Sequence, residues 1–465
     1  MSRDLYLNWL SCGVALLALC LLLIFRVDLS TMPIQRLSRV ALIVSVVLCA
    51  IVIGRAPRGL WSSTSLFVFV YALFHFGLLY ALAFGIEAPR EYDYRDVSSG
   101  LDRWFYRPET KIAAWLTLLG LASFVNGTFV ANIFPAKHKG IVSGSPSDEL
   151  SKRDSHLLAH GAAVLAITGI VGWVVCAILA GGTSIFFSSY QNYLSRTEDY
   201  PLATFHAFIK VGIVILSATR WTRIHRITLG AFALFALLAL PMGLRSEVLF
   251  PIVAAACVYA ARHRLPRTLP TLLLVVVLLA GIAGLRQLRT VGVRDYAASQ
   301  VALSFNPLAG LVEMGSSLRP VVETVRWQRA GEARLHGRTY WAPFDRALVY
   351  IIPGWQRPPA ERDNRIMNIV VMRRVGPIGF SVVAEANHNF GAWGVFAIMF
   401  IIGFALARMD RWSSSFVRQA MLGIVFGALL LHIRNSFVAV PFQVLFGSSI
   451  VAVAMLRARL SFRTR

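Results

Sequence analysis

The sequence predicts an all-α polytopic membrane protein of about twelve transmembrane helices with one large extracytoplasmic loop. Three observations predict it. Hydrophobic residues make up 57% of the chain and charged residues only 15%. Mean hydropathy is +0.63, a balance that excludes a soluble globular domain. Apolar stretches that approach the length of a bilayer crossing recur along the chain between short polar turns. Residues 286–390 break that rhythm with roughly a hundred residues crowded with Arg, Trp, Pro and Glu.

The apolar windows fall at 9–25, 41–54, 66–85, 112–134, 157–180, 203–218, 229–242, 248–261, 269–285, 392–407, 421–432 and 438–456. They divide the chain into 1–285 with about nine helices, a loop at 286–390 with interfacial helices, and 391–465 with about three more. The run at 14–25 has no A-x-A-like cleavage site and leads into further spans, so it reads as a first span rather than a removed signal peptide. Cys12, Cys20, Cys49, Cys176 and Cys257 all lie in apolar segments. They read as small packing residues, with neither disulfide nor metal spacing.

Charge orients the spans. The formal net charge is +23, and the basic residues concentrate in the turns 220–226, 262–267 and 408–412 and in the tail 457–465. All four share one side if the N-terminus starts inside, and the positive-inside rule makes that side cytoplasmic. The acidic segment 87–109 then falls on the opposite side. Basic turns of this kind read as topology signals and contacts to membrane lipid headgroups, not as a nucleic-acid surface. The reading is N-in and C-in, with 181–200, the turn at Arg245, the loop 286–390 and the turn at Arg434 facing outward. In a bacterial inner membrane that face is the periplasm. No Walker-type loop or Rossmann glycine pattern occurs in a strand–helix context. No cofactor is expected, and the substrate must arrive already activated, as a lipid pyrophosphate would.

Six segments carry candidate chemistry. Arg245 sits in the short turn 240–247 beside Gly243, which lets backbone approach a ligand. It either snorkels or pairs with Glu247, or it offers a bidentate guanidinium to pyrophosphate. Arg286, Arg289 and Arg294 leave a helix on the outer side, where positive charge is normally spared. A counter-anion explains them; so does a solvated basic face paired with Asp295 or lipid. In 311–325, read as an interfacial helix broken near Gly315 and Pro320, Glu313 is either an acid–base group or an ion-pair partner of Arg319. Tyr340, Trp341 and Trp355 sit among arginines and prolines, suited to sugar contacts or to an aromatic belt.

The sharpest cluster is 379–394. Glu385 and His388, three apart, share a helix face. Asn387 and Asn389 add hydrogen-bonding capacity, and Gly391 with Gly394 allows close helix approach. A carboxylate or imidazole drawn out of water can be tuned toward neutral pH, as a general base for a sugar hydroxyl requires. No third ligand stands at convincing zinc spacing. The late turn 432–437 adds His432 and Arg434.

These residues resemble the Wzy-type O-antigen polymerases, which join oligosaccharide repeat units of bacterial surface polysaccharides. The likeness rests on Gly243-Leu244-Arg245, on Glu313-Met314-Gly315, on Glu385 followed by Asn389-Phe390-Gly391 and Gly394, and on Arg434. It covers nearly the whole chain through short motifs of moderate specificity. The resemblance implies a GT-C-like glycosyltransferase bundle that uses undecaprenyl-pyrophosphate-linked oligosaccharide as donor and acceptor, without a metal. Arg245, Arg286, Arg289, Arg294 and Arg434 would bind the leaving pyrophosphate. Glu385 or His388 would deprotonate the acceptor hydroxyl, while Glu313, Tyr340, Trp341, Trp355, Asn387 and Asn389 would contact sugar. A polysaccharide co-polymerase that regulates chain length is a further partner implied. An O-antigen ligase would share these features with lipid A core as acceptor. A flippase for the same lipid-linked units is a third reading, disfavoured by the missing internal repeat.

The predicted orientation is checked by cysteines placed at Gln356 and Arg223. An impermeant thiol reagent applied to intact cells should label position 356 and spare 223. The opposite pattern reverses the topology.

Overall fold

The structure is a computed structural model describing residues 3–86, 104–134, 147–266, 268–298, 303, 305–349, 352–411 and 415–463. Most of the acidic segment expected on the outer side, 87–103, lies outside the described residues. Among the described residues every regular element is helical. In chain order these are α1 (Arg3–Ile24), α2 (Arg26–Thr31), α3 (Ile34–Arg55), α4 (Ser63–Ala83), α5 (Pro108–Ile133) and α6 (Ser147–Gly181). Next come α7 (Tyr190–Thr197), α8 (Leu202–Ser217), α9 (Arg223–Ala239), α10 (Arg245–Tyr259), α11 (Thr268–Val291), α12 (Val293–Ala298) and α13 (Pro307–Met314). The last are α14 (Arg319–Arg329), α15 (Arg338–Leu348), α16 (Met367–Arg374), α17 (Val382–Phe390), α18 (Ala392–Asp410), α19 (Phe416–His432) and α20 (Ala439–Arg463).

Each of the twelve apolar windows falls on one of these helices. Eight helices among the described residues are long and apolar enough to cross a membrane, nine if the pair α7 and α8, bent by 110°, counts as one broken span. The protein is a multi-pass, all-helical membrane protein. The windows at 229–242, 248–261 and 421–432 lie on helices of 17, 15 and 17 residues. At about 1.5 Å rise per residue these fall short of a hydrocarbon core of about 30 Å. That is why length and composition alone support fewer than twelve crossings.

The chain forms two compact units. One comprises Met1–Ala136, Leu311–Arg411 and Leu429–Phe442; the other comprises Lys137–Gly310, Trp412–Ala428 and Gln443–Arg465. In the first unit α5 is the most deeply buried of the long helices, with 94% of its apolar window covered against 17% for α1. Helix α18 packs along it through reciprocal glycines. A Cβ on Gly127 would strike the Phe400 carbonyl oxygen, and one on Gly403 would strike that of Phe124. A second such crossing sets Gly77 of α4 against Leu311 and Gly315. Lipid is as apolar as a leucine side chain, so helices gain by letting backbones approach, and only glycine permits this separation.

Polar groups tie the same unit at its ends. Asp410, closing α18, accepts from the Ser63 N–H at 2.9 Å, the Thr64 N–H at 3.1 Å and the Thr64 hydroxyl at 2.9 Å, and pairs with Arg58 at 2.6 Å. It thereby satisfies free amides at the start of α4 and meets the positive end of that helix dipole. In the middle of α5, Asn126 donates to the Ala15 carbonyl at 2.9 Å and so binds α1.

The segment expected to break at Gly315 and Pro320 does change there, though less than a break. Gly315–Leu318 is a 3-10 turn. Pro320 lies in the first turn of α14, where its missing N–H costs nothing, so it starts a helix rather than ending one.

In the second unit Gly212 of α8 rides on the Ala162 carbonyl of α6, where a Cβ would lie 2.7 Å away. Trp173, Tyr193, Phe235 and Met242 fill the core beside that contact. The Trp173 indole donates to the Tyr193 hydroxyl at 3.0 Å, which satisfies both polar tips in an apolar setting.

Replacing Gly127 or Gly403 by Ala should lower the apparent melting temperature in detergent by about 5 °C or more. Gly13→Ala on α1, where a Cβ meets nothing within 4 Å, should leave it within about 1 °C. Equal melting of all three variants would remove the close crossing as a source of stability.

Candidate active site

Helix α17 is short and held at both ends. Ser381 caps it, its hydroxyl accepting from the Ala384 N–H at 3.1 Å. The same hydroxyl lies 3.2 Å from His75 Nε2 on α4. Gly391, at φ +70, ends the helix and turns the chain into α18. Just before α17, the Phe380 N–H donates to the Arg434 carbonyl at 3.0 Å, which draws the late turn 432–437 alongside.

That turn receives Glu385. The carboxylate is fully buried. Its Oε2 accepts from the Phe437 N–H at 2.7 Å and stands 3.3 Å from His432 Nε2. Its Oε1 is buried with no hydrogen-bond partner. Leaving a buried acceptor unmet costs about 1–3 kcal/mol, more if it is charged, so such an atom asks for a functional account. The Phe437 ring sits between Tyr340 and His432, with centroids 5.2 and 5.5 Å away. Burial pushes the Tyr340 phenol well above its ordinary range, and the charge of Glu385 adds to this. Tyr340 therefore stays a neutral, protonated phenol.

His388 looks the other way. Its Nε2 lies 3.7 Å from Glu332 Oε1, and its ring meets Trp327 edge-to-face at 5.8 Å. Burial pulls the imidazole below the ordinary histidine range, so it is neutral and able to accept a proton at pH 7. Arg374 donates to the far oxygen of Glu332 at 2.6 Å and lies over the Trp327 ring at 4.8 Å.

The two asparagines act as clasps. Asn389 donates to the Thr339 hydroxyl and to the Glu385 carbonyl, each at 2.8 Å, and accepts from the Gly337 N–H at 2.9 Å. Asn387 donates to Gln328 Oε1 at 3.3 Å, and Gln328 donates back to the Asn387 carbonyl at 2.8 Å. Both side chains are buried and fasten the segment 324–339 to α17.

The first unit also holds the remaining sugar candidates. Trp341 and Trp355 are exposed on its surface, at 62% and 41%. Trp341 lines a cleft of about 480 Å³ with His336, Gly337, Arg338 and Arg365. Glu313 is half-buried on α13. Arg434 is half-buried with its guanidinium 5.7 Å from the Phe74 ring.

Arg245, Arg286, Arg289 and Arg294 belong to the second unit. Arg245 is buried at the first position of α10, directly after the turn at Gly243, whose φ is +89. A Cβ on Gly243 would lie 2.7 Å from Arg289 Cδ, so Arg289 packs on the backbone of the Arg245 turn. The Arg289 guanidinium covers the Tyr190 ring at 4.4 Å, and Gly292 fits against Phe187–Ser189. Three outward-predicted segments thus meet within this unit. Arg286 is half-buried and Arg294 exposed. The carboxylate of Glu247 is held by Lys210, with His206 Nδ1 at 3.8 Å.

Sequence reasoning passed over Glu332, Arg374, Trp327 and the Phe437 amide, and gave His432 no role. A signal for Glu332 existed in Gly331, a helix stop directly before it. The Phe437 contribution is a backbone amide and leaves no trace in residue type.

The family described as O-antigen polysaccharide polymerase Wzy matches residues 14–463 of the chain. Protein CapE of Staphylococcus aureus is 27% identical over 334 residues, 70% of this chain and 72% of that protein. No solved structure matches the chain. With all but its extreme ends covered by the family match, the chain belongs to the Wzy O-antigen polysaccharide polymerases.

Proposed function

We propose that the protein is a GT-C-like glycosyltransferase of the bacterial inner membrane. It lengthens a surface polysaccharide on the periplasmic face from undecaprenyl-pyrophosphate-linked repeat units. The observation that carries the chemistry is the buried Glu385 carboxylate, with one oxygen fixed by the Phe437 N–H and the other unmet. Its Oε1 takes the proton of an acceptor sugar hydroxyl as that oxygen bonds to the anomeric carbon of the growing glycan. The bond from that carbon to the pyrophosphate oxygen breaks, and undecaprenyl pyrophosphate leaves with the electron pair. Arg434, in the same unit, stabilises the charge that develops on it, and the second unit offers Arg245, Arg286, Arg289 and Arg294 as guanidinium groups suited to pyrophosphate without a metal. Exposed Trp341 and Trp355, with Tyr340 and Glu313, contact sugar, whereas Asn387 and Asn389 serve the site by holding α17. Glu385 is fully buried, so the acceptor reaches it only when the groups packed around it move aside. A chain-length regulator is the protein partner this reaction calls for.

Purified protein given a lipid-linked repeat unit should produce a ladder of polymer lengths, and EDTA should not abolish it. One block added to lipid A core would instead mark a ligase, and no product would sink both enzyme readings. Glu385→Gln keeps shape but cannot take a proton, so turnover should fall by about a hundredfold or more while lipid binding survives. Near-normal polymerisation by a folded Gln variant would leave Glu385 a structural group and move the base to His388. Arg245→Lys should cut the rate by about tenfold or more, because a point charge cannot reproduce the bidentate fork. Wild-type polymer yield in that variant would take Arg245 out of the mechanism.

A further inference from the structure

The cleft of about 480 Å³ lined by His336, Gly337, Arg338, Trp341 and Arg365 has one wall fixed to the helix that carries Glu385. The Leu335 N–H donates to the His388 carbonyl and the His336 N–H to the Asn389 carbonyl, each at 3.2 Å. The Gly337 N–H donates to Asn389 Oδ1 at 2.9 Å. Three successive amides are thereby pinned to α17. His336 is held at φ +48, and among the described residues no other non-glycine residue has a positive φ. Strain of this kind persists only where the surrounding bonds over-determine it, and it gathers at ligand sites.

The charges at this cleft do not cancel. Arg365 donates from Nε to Asp363 Oδ1 at 2.9 Å and from Nη2 to Asp363 Oδ2 at 3.0 Å, and its Nη1 pairs with Asp345 at 2.7 Å. Arg346 reaches the same Asp363 at 3.1 Å. Two guanidinium groups and two carboxylates make a neutral set. The set engages three of the five N–H groups of Arg365 and leaves two for a ligand. Arg338, the first residue of α15, is exposed, and its guanidinium has no hydrogen bond or ion pair among the described residues. It gives the cleft an uncompensated positive charge. Trp341, one turn on, lies on the same face of α15 and is also exposed. An indole beside guanidinium groups suits a ring that is apolar on one face and anionic at its edge, which describes a pyranose bearing a carboxylate. A pyrophosphate would use the arginines and leave the indole without a role.

We propose that this cleft is the subsite for an acidic sugar of the repeat unit, with the carboxylate taken by Arg338 and Arg365 and the ring stacked on Trp341. The proposal rests on the polymerase reading above and narrows its substrate class to repeat units that contain a uronic acid. Arg338 determines the specificity, because its charge is the one in the cleft that only a ligand anion can meet. Arg365, held by Asp363 and Asp345, supplies a donor whose direction is already set. The three amide bonds to α17 hold the bound sugar in a fixed place relative to the helix of Glu385.

Calorimetric titration of the full-length protein in nanodiscs tests this without turnover. The probe is a tetrasaccharide of alternating glucuronic acid and N-acetylglucosamine, compared with its methyl ester, which keeps the shape and removes the charge. The wild type should bind the acid and hold the ester more weakly by about tenfold or more. Arg338→Gln should weaken the acid by about tenfold and leave the ester unchanged. Trp341→Ala should weaken both. Arg373→Gln, which removes an exposed charge outside the cleft lining, should keep the affinity within about twofold. The proposal is overturned if the wild type does not bind the acid, or binds acid and ester alike. Equal losses in Arg338→Gln and Arg373→Gln overturn it too, as does a Trp341→Ala variant that binds normally. Inorganic pyrophosphate bound through Arg338 more tightly than the tetrasaccharide would give the cleft to the lipid carrier instead. The polymerase reading fails on other ground, since a missing polymer ladder leaves the difference between acid and ester intact.

Discussion

The burial of one carboxylate organises the site end of the first unit. A fully buried Glu385 is tolerable only with donors fixed in place, and this chain supplies one from backbone and one from an imidazole. They come from the last residue of α19 and from the turn after it, so this end of the helix must lie against α17. The Phe380–Arg434 backbone bond, the Ser381 cap and its contact with His75 of α4 hold it there. Moving any of these would leave the carboxylate short of partners.

The same economy of space runs through the helices behind it. Helix α17 passes into α18 through Gly391, and α18 lies on α5 through Gly127 and Gly403. The placement of Glu385 is thus referred to the most deeply buried helix of the unit, while Asp410 secures the far end of α18 to α4. Apolar burial drives none of this strongly in lipid; backbone proximity and satisfied polar groups do. The second unit solves a similar problem with arginines. Arg289 lies on Gly243 and on the Tyr190 ring, which brings the Arg245 turn, α7 and the end of α11 together. Aromatic stacking lets a guanidinium sit in a crowded place while its N–H groups stay directed outward.

The residues of 379–394 divide by the direction they face. Glu385 and His388 share a helix face by spacing, yet one points to the 432–437 turn and the other to 327–332. Asn387 and Asn389, chosen from sequence for their hydrogen-bonding capacity, spend that capacity on Gln328, Thr339 and the backbone. A motif rich in polar residues is therefore part chemistry and part fastening.

By itself the sequence determined the class of the protein and the places of its helices. Hydropathy is a local sum over neighbouring residues, so each of the twelve windows falls on a helix. The cluster at Glu385 and the family likeness were legible for the same reason, since both reside in contiguous residues. Only the tertiary structure decided which helices reach crossing length, that Pro320 opens α14, and that Glu385 meets the Phe437 amide 52 positions away. It also decided that Glu332 lies beside His388. Such facts depend on where distant segments meet and on backbone groups that every residue carries alike. Residue type gives no warning of them.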